Sequence, residues 1–417
     1  MYTAKGARSQ DQSHADLESA TPSLLRQQVL EQDAALQAWT RLADAASLSS
    51  ETPSTGTLAG LAFGIKDVID VAGMPTGCGS AAADARPVAF DAACVSQLRH
   101  AGAIPLGKTV TAEYAFRAPG PTRNPHNTLH TPGGSSSGSA AAVAAGMVPF
   151  ALGTQTGGSI IRPAAFCGVV GFKPSFEAVQ RQGLKQTCGS LDVIGWFAKD
   201  VPLARRVADV LLPYPSLQTG LAPLKKAALI LDASSHPLDD DAKQALLAAC
   251  DTLRRHDVVI ETPAPFTHAA EFARLHTVIM EFEIARNLQP VADLRPDELS
   301  KGLLETIERG WRIPRADYTA ARCAQHRLRH DWASIIGADI DVVITPSAPG
   351  AAPAGLDSTG ASAFNKLWSM LGWPCLHLPT TCNAQGLPLG IQLVANYEQD
   401  HRLLSSAELW HPLLTSA

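Results

Sequence analysis

Two Gly-Gly-Ser turns and one lysine are the groups in this sequence whose types and spacing could do chemistry. The first turn, GGSSS, contains Ser135, and the second, TGGS, ends at Ser159, 24 residues later. Because glycine has no Cβ, successive backbone N–H groups in such turns can converge on one anion. A nest of this kind stabilises the oxyanion of a tetrahedral intermediate, and one good donor lowers the barrier by about 3 kcal/mol. A serine beside the nest could be the attacking group, although an unassisted hydroxyl needs a base.

Lysine is a better candidate than histidine for that base. The 13 histidines lie mostly in polar contexts, and none sits in a compact motif. Lys66 follows the apolar segment LAGLAFGI (58–65), where loss of solvent should favour the neutral amine and lower its pKa. A neutral Lys66 could then take a proton from Ser159 through a second hydroxyl, which the segment Gly133–Gly138 can supply. A Ser-His-Asp triad assembled in space remains the alternative.

Each of these signals also has an ordinary structural explanation. A Gly/Ser cluster alone is more often a linker or a helix entry than a catalytic loop. A lysine after a strand is usually a solvated strand end. The combination of two Gly-Gly-Ser turns, both flanked by apolar runs, with a lysine at a strand terminus favours a catalytic site.

Alternating helices and strands must position these groups. The sequence predicts helices at Thr21–Ala46, Ala92–Gly102 and Asp239–His256, and strands at Leu58–Ile65, Ala103–Leu106, Lys225–Leu231, Val258–Glu261, Asp341–Thr345 and Leu387–Ala395. Residues 131–175 indicate a loop, a buried helix, a strand, a loop and another strand, and residues 266–334 are charged and helical. This order predicts an α/β fold with a mixed, largely parallel central sheet covered by helices on both faces.

The chain shows no internal repeat and no sharp linker, which favours one large domain. We expect a loose N-terminal segment at residues 1–20 and a single domain at residues 21–417. Within that domain the sequence suggests a core at 58–213, a peripheral helical part at 214–340 and closing strands at 341–417.

Composition excludes several classes of protein. The chain has 417 residues and a net charge of −5 without a long basic run, so nucleic acid is not an expected partner. The eight cysteines form no C-x-x-C pair and are interpreted as buried free thiols. The longest apolar stretch, Ala140–Leu152, contains a glycine and a proline and is too short to cross a bilayer. With no secretory signal pattern, the expectation is a cytoplasmic protein that does not contact a membrane.

The motifs resemble those of the amidase signature family. Gly133–Pro174 is similar to the defining segment of that family, and Leu61–Asp67 resembles its lysine strand. Gly107–Phe116 (GKTVTAEYAF), Thr122–Asn127 and Gly386–Val394 (GLPLGIQLV) resemble further blocks, so the likeness spans most of residues 58–397. It implies the amidase signature fold and a serine amidase that cleaves a small-molecule carboxamide to an acid and ammonia or amine.

The resemblance also implies a role for particular residues. Ser159 would be the nucleophile that forms an acyl-enzyme, Ser135 the bridging serine that follows a cis peptide bond, and Lys66 the proton acceptor. Ser136 would help to hold Lys66 by hydrogen bonding. The oxyanion hole would consist of the backbone N–H groups of Thr156, Gly157, Gly158 and Ser159. No cofactor and no metal are implied.

Several positions depart from the family pattern, among them Ser137 and Val110, which replace a frequent glycine and a frequent asparagine. Gln155 stands where the family commonly has an acidic residue, and the arginine usually found two residues after the nucleophile is replaced by Ile161, with Arg162 following it. Arg162 either forms a structural ion pair or forks onto a substrate carboxylate. The second interpretation would resemble the malonamidase-like branch, which hydrolyses acid-bearing amides such as malonamate.

Several alternatives compete with a stand-alone amidase. GAIPLGKT (102–109) fits a phosphate-loop string, but its middle is apolar and a helix is predicted before it. Cys167 could be a thiolate nucleophile, although its apolar surroundings favour a structural thiol. The family also includes the amidase subunit of a tRNA-dependent amidotransferase complex, which releases ammonia from glutamine, and an inactive binding homologue is a further hypothesis. The sequence is also compatible with a homodimer. Trp368 and Trp373 are candidate pocket walls or, as we prefer, core residues.

Overall fold

One mixed sheet runs through the part of the chain that the structure describes. The computed structural model describes residues 21–45, 48, 55–213, 223–232, 236–263 and 266–416. The predicted loose segment at residues 1–20 lies outside the described residues. Strands from residue 39 to residue 395 belong to the same sheet.

The sheet has eleven strands within the described residues. They are β1 (Trp39–Leu42), β2 (Ala62–Lys66), β3 (Ile104–Thr109), β4 (Phe150–Gln155), β5 (Val170–Lys173), β6 (Val193–Ala198), β7 (Lys226–Leu229), β8 (Val259–Glu261), β9 (Val342–Pro346), β10 (Cys375–Cys382) and β11 (Pro388–Ala395). Their spatial order is β1-β3-β2-β4-β6-β5-β10-β11-β9-β7-β8.

The strand directions confirm a mixed sheet, with a smaller parallel share than the sequence suggested. The runs β3-β2-β4 and β9-β7-β8 are parallel, and the other six neighbouring pairs are antiparallel. The antiparallel share arises in the centre, where β5 pairs with β6 and β10 with β11. Consecutive strands that pair directly, without a crossover helix, return antiparallel.

Helices cover both faces of this sheet. They are α1 (Pro22–Leu36), α2 (Ala93–His100), α3 (Ser137–Ala144), α4 (Ile161–Cys167), α5 (Val201–Leu211), α6 (Asp240–Arg255), α7 (Ala269–Leu294), α8 (Lys301–Arg312), α9 (Arg315–Arg329), α10 (Trp332–Ile335), α11 (Lys366–Leu371) and α12 (Asp400–Thr415). Successive strand residues point to opposite faces. Ala62 accordingly packs in one apolar cluster with α1 and α3, and Phe63 packs in another with α2, α5 and α12.

The first helix is shorter than the sequence predicted. It ends at Leu36 rather than Ala46, because Gln37 adopts a left-handed conformation with φ 52°. The carboxylate of Asp33 then accepts the backbone N–H of Ala38 at 2.6 Å. The chain turns there and continues as β1 at the sheet edge, where Trp39 is paired with β3.

Two central strands bring the candidate residues to one edge of the sheet. Phe63 of β2 stacks on Phe150 of β4 with ring centroids 5.1 Å apart, and the two strands are parallel. Parallel strands end at the same edge of a sheet. Lys66 is the last residue of β2, and β4 ends at Gln155, four residues before Ser159.

Two surface-related predictions were tested by the structure. No helix among the described residues is long and apolar enough to cross a bilayer. All eight cysteines are free thiols, and six are buried. Cys323 and Cys382 are exposed, so the prediction of buried thiols is wrong for these two. Cys323 lies in α9, and Cys382 lies at the end of β10, where the strand runs out of the core.

Candidate active site

The amine of Lys66 lies against the hydroxyl of Ser135. Nζ is 2.7 Å from Ser135 Oγ, 2.7 Å from Thr154 Oγ1 and 3.5 Å from the Thr154 carbonyl oxygen. Lys66 and Ser135 are both fully buried, and the Gly134–Ser135 peptide bond is cis. The two residues that the sequence proposed as base and relay are therefore in hydrogen-bonding contact.

Burial changes the protonation of this lysine. The pKa of Lys66 falls from 10.5 to about 7, mainly because burial removes solvent; the field of Asp192 opposes this shift and that of Arg162 adds to it. Desolvation also raises the pKa of Asp192. A substantial fraction of Lys66 is consequently neutral at neutral pH and has a lone pair available for a proton.

Ser136 supports the lysine through Thr154 rather than by direct contact. Its Oγ donates to the Thr154 carbonyl oxygen at 3.1 Å and accepts the Thr154 N–H at 3.2 Å. The expected hydrogen bond from Ser136 to Lys66 is therefore wrong, because the amine is already surrounded by Ser135 and Thr154. The backbone of Thr154 is fixed by Ser136, and its hydroxyl is in turn available to hold the amine.

Ser159 lies at the wall of a cavity beside this pair. It is mostly buried, and the cavity that it lines measures about 490 Å³. Within the described residues its hydroxyl makes no hydrogen bond to Ser135 Oγ, so the structure brings Lys66 and Ser135 together but leaves the second link of the relay open. Hydrogen bonds between catalytic groups are often long in free enzymes and tighten when substrate is bound.

The loop that carries Ser159 presents a row of unpaired backbone donors. The N–H groups of Gly157, Gly158 and Ser159 have no hydrogen-bond acceptor in the described part of the chain. A Cβ on Gly158 would lie 2.6 Å from Asn365 Oδ1, so this position has no room for a side chain. On Gly157 the nearest atoms would lie at 3.6 Å or more, which is ordinary contact. The loop therefore has the shape expected of an oxyanion nest, and glycine is sterically required only at 158.

Gln155 closes the base of that loop. Its Oε1 accepts the backbone N–H groups of Ile160 and Ile161 at 2.8 and 3.0 Å. Its Nε2 donates to Ser369 Oγ at 3.0 Å, and that hydroxyl donates to the carbonyl oxygen of Gly157 at 2.7 Å. The side-chain amide uses both its donor and its acceptor here, which a carboxylate at this position could not do.

The guanidinium group of Arg162 donates hydrogen bonds to backbone carbonyl groups of the protein. Its Nε and Nη2 donate to the carbonyl oxygen of Gly134 at 3.2 and 2.5 Å, and Nη1 donates to Gly360 O at 2.5 Å. No carboxylate pairs with it among the described residues. The bidentate pair formed by Nε and Nη2 is therefore used by the carbonyl group of Gly134, which precedes Ser135. Some N–H groups on the terminal nitrogens are still available to a ligand. The structural ion pair is therefore wrong, and contact of Arg162 with a substrate carboxylate stays a prediction for its remaining N–H groups.

The cavity is ringed by positive charge. Arg117, Arg162 and Lys366 all line it, and none is paired with a carboxylate in the described part of the chain. Burial lowers the pKa of Arg162 to about 10 and also lowers that of Lys366, and Arg117 reinforces both shifts. Glu281 favours the protonated Lys366, but its carboxylate pairs with Arg309 at 2.9 Å. An anionic ligand would relieve this repulsion.

Two later segments supply much of the remaining cavity wall. They contribute His276, Met280 and Ile284 of α7, and residues 357–363 before α11. Asp357 is the acidic residue of this wall and is exposed. Trp368 and Trp373, the candidate wall residues of the sequence, are fully buried members of the main apolar cluster, so the preferred interpretation as core residues is confirmed.

The alternative nucleophile, Cys167, and the lysine of the alternative phosphate-binding loop, Lys108, are both buried in the core. Cys167 is fully buried with Sγ 3.4 Å from Pro132 O, and desolvation raises the pKa of its thiol well above the ordinary value. Lys108 of the GKT string lies inside β3 and pairs with Asp67 at 3.0 Å, with only 1% of its side chain exposed. Neither group is presented to a ligand.

Sequence reasoning missed several residues that shape the site, among them Thr154, Asp192, His276 and Ser369, as well as Arg117 and Lys366 of the cavity wall. Thr156 Oγ1 donates to Asp192 Oδ1 at 2.5 Å, and His276 lies 2.9 Å from Thr156 O. His276 and Ser369 are more than 100 residues away in the chain from the loop that they contact. Thr154 stands in the motif TQT just before the nest, and its spacing from Ser159 was the one available signal.

A family model described as Amidase matches residues 27–404. The chain therefore belongs to the amidase family and is a serine amidase.

Similar proteins span nearly the whole chain. A glutamyl-tRNA(Gln) amidotransferase subunit from Synechococcus sp. (strain CC9605) is 31% identical over 463 aligned residues, which covers 95% of this chain and 91% of that protein. A solved structure described as an amidase aligns with a TM-score of 0.84 at 28% identity and covers 96% of this chain and 98% of the other. An inhibitor-bound chain from a vestigial protein complex, described as revealing the origins of an s-triazine catabolic enzyme, aligns at 0.83 and 25%, with 96% and 98% covered.

Proposed function

We propose that the protein hydrolyses a carboxamide through an acyl-enzyme on Ser159, with Ser135 as proton relay and Lys66 as base. The observation that carries this proposal is the 2.7 Å contact between Lys66 Nζ and Ser135 Oγ in a fully buried setting. Burial lowers the pKa of this amine to about 7, so it can act as a base at neutral pH.

The hydrogen-bond donors and the lone pair of a neutral Lys66 amine match the groups around it. Its one lone pair accepts the hydroxyl hydrogen of Ser135, and its two N–H groups are directed at Oγ1 and the carbonyl oxygen of Thr154. As Ser159 Oγ attacks the amide carbon, its proton passes to Ser135, and the proton of Ser135 passes to Lys66. The proton returns to nitrogen when the C–N bond breaks, and water then releases the acid.

The charge that develops on the carbonyl oxygen needs donors that are free beforehand. The N–H groups of Gly157, Gly158 and Ser159 have no acceptor within the described chain and meet this requirement. Preorganised donors of this kind are often the largest single contribution to acyl transfer. Thr156 supports the nest with its carbonyl and side chain.

The charge around the cavity supports an amide whose acid portion is negatively charged. Lys366 and Arg117 face the cavity without an acidic partner among the described residues, while the fork of Arg162 is committed to Gly134 O. Recognition of a substrate carboxylate is therefore assigned first to Lys366 and Arg117, with the remaining N–H groups of Arg162 in support. Malonamate is a small amide of this class.

A second candidate is the release of ammonia from glutamine within a larger complex. The similarity to a glutamyl-tRNA(Gln) amidotransferase subunit favours glutamine over malonamate as the substrate. In this candidate the chain would assemble with different partner chains instead of forming a homodimer. Glutamine also brings a carboxylate, but it carries an ammonium as well. Exposed Asp357 is the group in the cavity wall that could receive it.

An inactive binding homologue is a third hypothesis. The buried Lys66–Ser135 contact speaks against it, because a buried lysine without an ion pair has a cost in stability that a purely structural site would have no reason to retain. Free nest donors beside Ser159 point in the same direction.

One experiment tests these candidates together. The purified single chain and its Ser159→Ala variant are assayed for ammonia release from malonamate, propionamide, an aryl amide and glutamine. We expect hydrolysis by the single chain, highest on malonamate, and none by Ser159→Ala. Hydrolysis of glutamine alone, dependent on added partner subunits, would select the second candidate. Equal activity of Ser159→Ala would overturn the proposal.

A further inference from the structure

Each carbonyl group along the nest is held by a donor from outside the loop. His276 Nε2 lies 2.9 Å from Thr156 O, and Ser369 Oγ donates to Gly157 O at 2.7 Å. The carbonyl oxygen of Gly158 accepts the backbone N–H of Arg162 at 3.0 Å. Three consecutive peptide groups are thus fixed on their oxygen side.

Because a peptide group is planar, fixing its carbonyl oxygen also fixes the direction of its N–H group. In a planar trans peptide the C=O and the following N–H point in opposite directions. A donor that holds Thr156 O therefore sets the direction of the Gly157 N–H, and one that holds Gly157 O sets that of the Gly158 N–H. A hydrogen bond to the carbonyl also polarises the peptide and strengthens its N–H as a donor.

The hydroxyl of Ser369 is itself oriented. It has a single hydrogen, and Gln155 Nε2 donates to its oxygen at 3.0 Å. The hydroxyl hydrogen is therefore left for the Gly157 carbonyl. A carboxylate at position 155 would instead attract that hydrogen and leave Gly157 O without its donor.

The protonation of His276 is equally defined. Its Nε2 faces a carbonyl oxygen, which only accepts, so Nε2 carries the hydrogen. Burial lowers the pKa of His276 to about 4, with a further contribution from Lys366. The ring is thus neutral at neutral pH, and its buried Nδ1 has no partner within the described residues.

We propose that Ser369 and His276 are positioning residues that aim the N–H groups of Gly157 and Gly158 at the developing oxyanion, with Gln155 orienting Ser369. This inference rests on the proposed function, in which Ser159 attacks and the nest receives the charge. Their contribution belongs to the transition state, so their loss lowers kcat and leaves KM largely unchanged.

The test uses the full chain and a probe that does not depend on the natural substrate. The rate constant for modification of Ser159 by a fluorophosphonate is measured for wild type, Ser369→Ala, His276→Leu and the conservative variants Ser369→Thr and His276→Gln. kcat and KM for malonamate are measured beside it. Ser406→Ala is the matched control, because Ser406 is a fully buried serine of α12 that bonds to the backbone N–H of Leu224.

We expect Ser369→Ala and His276→Leu to lower both kcat and the modification rate about 10- to 100-fold, with KM within about twofold. Ser369→Thr and His276→Gln keep a donor and should recover at least part of the loss, and Ser406→Ala should match wild type. Thermal unfolding checks that each variant is folded. If the variants at one of the two positions do not fold, the pair at the other position is sufficient for the test.

The outcomes separate the inference from its premise. If wild type is modified at Ser159 but Ser369→Ala and His276→Leu react at the wild-type rate, the positioning role is overturned while the proposed function stands. A rise of KM with unchanged kcat would also contradict it. Failure of wild type to react, or equal labelling of Ser159→Ala, would overturn both.

Discussion

Lys66 Nζ and Ser135 Oγ lie 2.7 Å apart in a region from which solvent is excluded. The pair joins the end of β2 to the loop before α3, 69 residues further along the chain. A lysine in this setting carries a cost in stability and is partly neutral at neutral pH. Both effects are measurable.

The cost in stability should be visible on substitution of the lysine. The pKa of Lys66 is about 7 in the folded chain, against 10.5 for a solvated lysine such as that of the unfolded chain. Between these values the unfolded chain binds more protons, so folding stability rises with pH, and below pH 7 the penalty is fully present. Lys66→Met should therefore be more stable than wild type at pH 7, by about 2 kcal/mol.

The measurement is denaturant unfolding of wild type and Lys66→Met across this pH range. The stability gap should narrow as pH rises from 7 toward 10.5. A variant less stable than wild type, or a gap that does not change with pH, would contradict the assigned burial penalty.

The two glycines of the nest should respond differently to alanine. In Gly158→Ala the new Cβ would lie 2.6 Å from Asn365 Oδ1 and 2.7 Å from Ser362 Cβ, so the loop must move. In Gly157→Ala the nearest atom, Lys366 Cγ, would lie at 3.6 Å. We expect Gly158→Ala to lose about 100-fold in kcat and Gly157→Ala less than about 10-fold. Equal losses in kcat at equal thermal stability would argue against this steric account.

Removal of positive charge from the cavity should change selectivity. Charge-assisted hydrogen bonds contribute about 1.5–3 kcal/mol, so Lys366→Met should raise KM for malonamate at least about 10-fold and leave propionamide unaffected. Lys243→Met, at an exposed position of α6, provides the charge-matched control. The assignment of Lys366 to carboxylate recognition is wrong if both amides respond alike.

The thiols should be irrelevant to turnover. Iodoacetamide should modify Cys323 and Cys382, which are exposed, and leave Cys167, whose burial raises the pKa of its thiol. Activity should stay within about twofold of the untreated enzyme. Mass spectrometry locates the modified residues, and loss of activity that tracks modification of Cys167 would revive the cysteine hypothesis.

Much of the framework could be predicted from the sequence because it depends on local signals. The apolar run before Lys66 specifies β2, and the Gly-Gly-Ser turns mark the loops of Ser135 and Ser159. Strands such as β6 and β10 and the last helix, α12, were not predicted. The pairing of these strands and the packing of this helix are decided by partners elsewhere in the chain.

The site was predictable only in its reacting groups. The roles of Thr154, His276 and Ser369 depend on contacts across 88 to 212 residues, which no local pattern encodes. Arg162 was assigned to a substrate because its carbonyl partners, Gly134 and Gly360, cannot be seen in the sequence. Backbone carbonyls leave no residue-type signature, whereas carboxylates do.

The dependence of Ser159 reactivity on pH tests the central claim most directly. The rate constant for fluorophosphonate modification is measured from about pH 5 to about pH 9 for wild type and Lys66→Met. Because the neutral amine is the competent base, the wild-type rate should rise with pH, with its midpoint near 7, and Lys66→Met should react very slowly without that midpoint. A Lys66→Met variant that keeps the wild-type rate and profile would contradict the account.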